Sequence, residues 1–104
     1  MDILKIRDKT GKEIHLSEER WKHILKHPQM DENQLENIKR TIINPMIIKF
    51  NEDDSSVKYF YTQFKQNKPE EKYLLVAIKY LNGSGFITTS FFTNKTTCLK
   101  WETK

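Results

Sequence analysis

From Met46 to Thr93 the chain reads as four runs of apolar, β-branched and aromatic residues divided by short polar turns, a pattern that buries itself as a sheet. The runs are Met46 to Phe50, Val57 to Phe64, Tyr73 to Leu81 and Phe86 to Thr93. The links Asn51 to Ser56, Gln66 to Lys72 around Pro69, and Asn82-Gly83-Ser84-Gly85 are short enough to join antiparallel neighbours, so the last three strands are expected to form a meander. A further short strand near Leu99 to Glu102 is expected at an edge, with Trp101 anchoring the tail.

Alternation along the third run separates Leu74, Val76, Ile78 and Tyr80 from Tyr73, Leu75, Ala77, Lys79 and Leu81, and the first set is the better core face. Lys79 therefore stands in an apolar strand, where its ammonium needs solvent or a negative partner such as a phosphate. In the last run Thr88 and Ser90 share one face while Ile87, Thr89 and Phe91 share the other. Hydroxyls are thus offered on both sides, with Ser90 a candidate substrate contact.

Upstream the periodicity is different. Ile3 to Arg7 and Lys12 to Leu16 bracket the turn cluster Asp8-Lys9-Thr10-Gly11 and read as a short hairpin or an extended arm. Ser17 is a helix N-cap, Glu18 and Glu19 occupy the positive first turn, and Leu16 with Trp21 makes a hydrophobic staple. Trp21, Ile24 and Leu25 form the apolar face, and Pro28 stops this helix near Lys26 or His27. A second helix is expected from Asp31 as cap, with Gln34 completing a capping box and Met30 stapled to Leu35. Leu35, Ile38 and Ile42 make its stripe before Asn44-Pro45 ends it.

The fold class is therefore α+β, two N-terminal helices packed on a mainly antiparallel, meander-type sheet. With 104 residues, 37% of them hydrophobic and 12% aromatic, the chain suits one domain over 1–104. No repeat or linker divides it.

Eighteen Lys and Arg against 14 Asp and Glu give a formal charge of +4, which permits a polyanionic partner without demanding one. No run approaches the roughly 18 apolar residues of a membrane helix, and the first residues lack a signal-peptide core. The lone Cys98 cannot form an internal disulfide and reads as a partly buried small hydrophobe. These features point to a cytoplasmic chain.

The chemistry-bearing stretch is Trp21-Lys22-His23-Ile24-Leu25-Lys26-His27-Pro28. On a helix, Arg20, His23 and His27 fall in a sector of about 60° at the rim of the apolar face. Two imidazoles and a guanidinium on one surface suit metal-independent cleavage of RNA, which needs a base for the 2′-hydroxyl, an acid for the leaving 5′-oxygen and cations for the phosphorane. His27, nearer the negative helix end, suits the acid. The same spacing also suits two semi-exposed histidines bonded to water or backbone. A zinc reading is weaker, because the His-x-x-x-His pair lacks the intervening glutamate and only His15 and Cys98 remain as soft ligands. No cofactor is expected.

Together with Ile42-Ile43-Asn44-Pro45, Tyr59-Phe60-Tyr61, the strand from Tyr73 to Lys79 and Gly85-Phe86-Ile87-Thr88-Thr89-Ser90-Phe91-Phe92-Thr93, this stretch resembles the phage-type branch of the barnase, EndoU, colicin and RelE-like (BECR) nucleases. The resemblance spans nearly the whole chain. It implies an endoribonuclease acting on RNA, transfer RNA among the substrates, with catalytic residues at His23, His27, Lys79 and Thr89 and an aromatic substrate contact at Tyr61. Relatives carry a basic residue where Thr62 stands and a tyrosine where Phe91 stands, so Arg20 would supply the missing charge at the substrate. A short basic chain of this outline also fits a toxin or phage-borne effector, whose partner would be an acidic antitoxin or immunity protein. The runner-up reading is an RNA-binding module without catalysis, and the third a protein-interaction domain.

Overall fold

A computed structural model describes residues 2–64, 67, 71–95 and the backbone of 101–103. In chain order the elements are β1 (Asp2–Arg7), β2 (Glu13–Ser17), α1 (Glu18–Ile24), α2 (Gln34–Ile43), β3 (Ile47–Asn51), β4 (Val57–Gln63), β5 (Tyr73–Leu81), β6 (Ser84–Thr93) and β7 (Trp101–Thr103). They form an α+β structure around one sheet in the order β1-β2-β6-β5-β4-β3-β7.

Two features depart from the expected layout. The helices are not N-terminal, because a β1–β2 hairpin precedes them, and the sheet is mixed. The strands β3 to β6 are consecutive antiparallel neighbours. β2, however, joins β6 in parallel, pairing Glu13 with Ser84, Ile14 with Gly85 and His15 with Phe86. The reason is burial: Ile14 and Leu16 are both fully enclosed, which an isolated arm could not achieve. A further tie is the Tyr80 hydroxyl, which donates to Asp8 Oδ2 at 2.7 Å and fastens the hairpin turn to β5. Burial pushes the Asp8 carboxyl up, but hydrogen bonds from Tyr80, Thr10 and Lys12 outweigh it and hold the group below its ordinary value.

Both helices cover one side of the sheet, and Ile24, Ile38 and Ile42 meet Phe60, Leu74, Val76 and Ile78 there. Each such enclosed side chain contributes about 1.5–3 kcal/mol of burial. Leu75 and Ala77, on the opposite face of β5, are also closed off, so this central strand is buried on both sides. Ser17 caps α1 as expected, its Oγ accepting the Arg20 N–H at 3.1 Å. α2 starts three residues after the expected cap. Asp31 instead accepts the N–H of Asn33 in a local turn, and Asn33 holds the cap position without a side-chain bond.

The short edge strand lies at Trp101–Thr103 beside β3. Cys98, the Trp101 side chain and most of the turn around Pro69 fall outside the described residues. Among the described residues no helix is long and apolar enough to cross a membrane.

The β5–β6 connection is tighter than the four-residue turn expected, because Asn82 and Gly83 both take positive φ, the geometry of a two-residue hairpin loop. Gly85 then belongs to β6 and is needed for close approach: a Cβ there would stand 2.5 Å from Ile14 Cδ1 and 2.8 Å from Ile78 Cγ2. Gly85→Ala is expected to cost about 1–3 kcal/mol by overpacking this junction, lowering Tm by roughly 5–20 °C in a thermal melt. An unchanged Tm would show that the β2–β6 contact opens freely.

Candidate functional site

β2 pairs with β6 only as far as Phe86, and beyond that point α1 takes its place along the β6 edge. The helix runs in the same direction as the strand. Arg20 reaches a cleft beside Thr88, the His27 ring lies 5.3 Å from the Phe91 ring at 44°, and Gln29 Nε2 donates to the Phe92 carbonyl at 3.5 Å. His23 is exposed and lies between them in sequence, three residues after Arg20 and four before His27. The helix itself ends at Ile24. Lys26 N–H then bonds the His23 carbonyl and His27 N–H the Ile24 carbonyl, so the chain tightens to i→i−3 turns and His27 is not stacked one α-turn above His23.

β6 carries a bulge that sequence parity does not reveal. Ala77 pairs with Thr89 and Ile78 with Ile87, leaving Thr88 as the extra residue, with its Oγ1 donating to the Ala77 carbonyl at 3.2 Å. The bulge resets the alternation. Ile87 and Ser90 turn to the helices, while Phe86, Thr89 and Phe91 share the opposite face, so Ile87 does not group with Thr89 and Phe91 as expected.

On that opposite face lies a cleft of about 300 Å³, whose walls include Arg20, Lys79, His15, Phe86 and Thr88. The Lys79 ammonium has its negative partner within the chain: Nζ donates to Asp54 Oδ2 at 2.8 Å. That hydrogen bond, with those from Ser56, pulls the Asp54 carboxyl down to about 2, so the pair persists through neutral and mildly acidic pH. Lys79 keeps 39% of its side chain exposed, and an ammonium has three donors, so two remain for a phosphate.

His15 is the imidazole inside the cleft. Its Nδ1 lies 2.5 Å from Asp2 Oδ2, its Nε2 3.1 Å from Glu13 Oε1, and its ring stacks on Phe86. Sequence reading treated it only as a spare metal ligand. The signal was available, since apolar Ile14 and Leu16 on either side put His15 on the face away from the core.

The site residues expected from sequence therefore separate into groups. Arg20 and Lys79 line the cleft, while His23, His27 and Thr89 lie outside its lining and farther along the same rim. Lys79 and the strand position beneath His27 are four residues apart on β5, roughly 13 Å. Tyr61 and Ser90 are fully enclosed, the Ser90 hydroxyl donating to the Leu75 carbonyl at 2.7 Å, so neither meets the cleft as a substrate contact. Thr62 pairs with Leu74 on the helix-facing side, which removes it from the surface that holds Lys79. Lys49, in the same cross-strand row as Tyr59, Ala77 and Thr89, is a cation that sequence reading missed. It is 4% exposed and has no hydrogen-bond or ion-pair partner among the described residues. No three His, Cys, Asp or Glu side chains among the described residues converge to hold a metal ion.

Comparison with known proteins gives one match. The family model described as phage-Barnase-EndoU-ColicinE5/D-RelE like nuclease 2 matches residues 4–102. No curated protein and no solved structure matches the chain.

Proposed function

Since the chain belongs to the phage-Barnase-EndoU-ColicinE5/D-RelE like nuclease 2 family, we propose that it is a metal-independent endoribonuclease working along the β6 rim. The observation that carries this reading is the placement of Arg20 and Lys79 on one cleft and of the His27 ring beside Phe91 of β6, with the exposed His23 between Arg20 and His27 in sequence. In this reading a phosphodiester lies over Thr88 and Thr89. Arg20 and Lys79 hold its non-bridging oxygens, and the Thr89 hydroxyl orients one of them.

His23 takes the proton of the 2′-hydroxyl as that oxygen attacks phosphorus. His27 gives a proton to the 5′-oxygen as the P–O5′ bond breaks, leaving a 2′,3′-cyclic phosphate and a free 5′-hydroxyl. In this reading His27, which follows the C-terminal end of α1, is the acid. Tyr61 and Ser90, enclosed in the sheet, support β4 and β6 and do not touch RNA. An acidic antitoxin or immunity protein would cover Arg20 and Lys79 in the cytoplasm, if the chain acts as a toxin.

One observation favours a second reading, an RNA-binding module without catalysis. Neither the His23 nor the His27 ring has a hydrogen-bond partner among the described residues to fix its tautomer. Incubation with total RNA in excess chelator separates the two. The enzyme yields fragments ending in 2′,3′-cyclic phosphate and leaves 2′-O-methylated RNA intact, whereas RNA bound but uncut assigns the binding module.

A further inference from the structure

Phe86 and His15 are register partners across the parallel β2–β6 pair, with ring centroids 5.3 Å apart and planes 17° from parallel. Neighbouring strands are spaced about 4.8 Å, so His15 stands on the β2 side of the Phe86 ring. The face of Phe86 turned away from His15 therefore points toward β5, where its partner is Lys79. Phe86 is 42% exposed, the one exposed phenylalanine among the described residues, and it lines the cleft.

A lone exposed aromatic on a sheet is ordinary, but this one is built in. Its back is covered by an imidazole held at both nitrogens by the Asp2 and Glu13 carboxylates, which fixes the ring pair in place. Its front looks into the cleft, and the same cleft presents two cations, Arg20 and Lys79. The Lys79 ammonium bonds Asp54 Oδ2 at 2.8 Å and keeps two further donors. A flat apolar platform between two cations matches one nucleotide unit, a π-faced base beside a charged phosphate.

We infer that the face of Phe86 turned away from His15 is a stacking subsite for one unpaired nucleobase, that of the nucleotide whose phosphate Arg20 and Lys79 hold. The inference rests on the reading of this cleft as an RNA site and adds its substrate class: single-stranded or looped RNA. A base inside a duplex has both faces covered by its neighbours and cannot lie on the ring. Stacking of this kind accepts any base, so the subsite selects for strandedness and not for sequence.

The test uses the full chain and an uncleavable 2′-O-methyl oligonucleotide followed by fluorescence anisotropy. The single strand is expected to bind more tightly than the same sequence as a duplex, and Phe86→Ala to weaken single-strand binding about tenfold to a hundredfold. Phe86→Trp retains the affinity, and its indole is quenched on binding. An abasic site, moved along the strand, weakens binding to the parent protein at one position and has no such effect on Phe86→Ala, since base and ring then act as a coupled pair.

Equal affinity of the parent and Phe86→Ala, or an abasic penalty unchanged by the substitution, overturns the subsite. Cleavage is scored separately. RNA cut with no dependence of binding on Phe86 removes the subsite and keeps the nuclease. Phe86-dependent binding without cutting does the reverse, and no RNA binding at low salt removes both.

Discussion

Replacing His23 and His27 together by alanine is expected to reduce RNA cleavage by about 10²–10⁴-fold, measured as the initial rate of fragment formation in chelator, while leaving the protein folded. The two rings sit where chemistry is exposed and structure is not. His23 is exposed, and His27 contributes one tilted contact with Phe91, so the expected stability loss is no more than about 1.5 kcal/mol. A thermal melt checks that limit. The single variants separate the roles: in a substrate with a good leaving group the 5′-oxygen needs no acid, so His27→Ala regains rate and His23→Ala does not. Cleavage unchanged in the double variant overturns the assignment.

Removing either cleft cation is expected to lower kcat by about 10²–10³-fold, the cost of losing one fixed positive donor to the phosphorane. Lys79→Met is the cleaner variant, because it keeps the aliphatic stem on β5 and releases Asp54, which is 42% exposed and is taken up by water. The pair is an exposed one, so a large fall in activity with a small fall in Tm identifies a phosphate contact. Arg20→Lys is not expected to rescue Arg20→Ala fully, since an ammonium lacks the two-pronged donor geometry of guanidinium. Binding titrated against salt gives a second readout: each lost phosphate contact reduces the slope of log K on log salt by about 0.7 for a single strand. Equal slopes for the parent and both variants would mean that RNA phosphate lies elsewhere.

Much of this architecture is legible from short stretches of sequence. Ser17 as a cap, Trp21 and Ile24 on a buried face, and the helix-facing set Leu74, Val76 and Ile78 all follow from interactions spanning four residues or fewer. The arrest of α1 at Ile24 was misjudged by two or three residues. There the choice lay between α and i→i−3 bonding, which differ little in local energy and are settled by packing on β6.

The site is a different matter, because its parts meet through pairings that no local pattern encodes. Sequence by itself determined the α1 cap, the strand runs and the buried face of α1. Only the tertiary structure decided that β2 lies parallel to β6, that the bulge at Thr88 turns Phe86 and Thr89 to one face, that Asp54 holds Lys79, and that His15 stands in the cleft. The physical reason is range. Caps and alternation are fixed by neighbours along the chain, whereas the hairpin finds its place by burying Ile14 against Ile78 across the gap that Gly85 leaves, a contact between residues more than sixty positions apart.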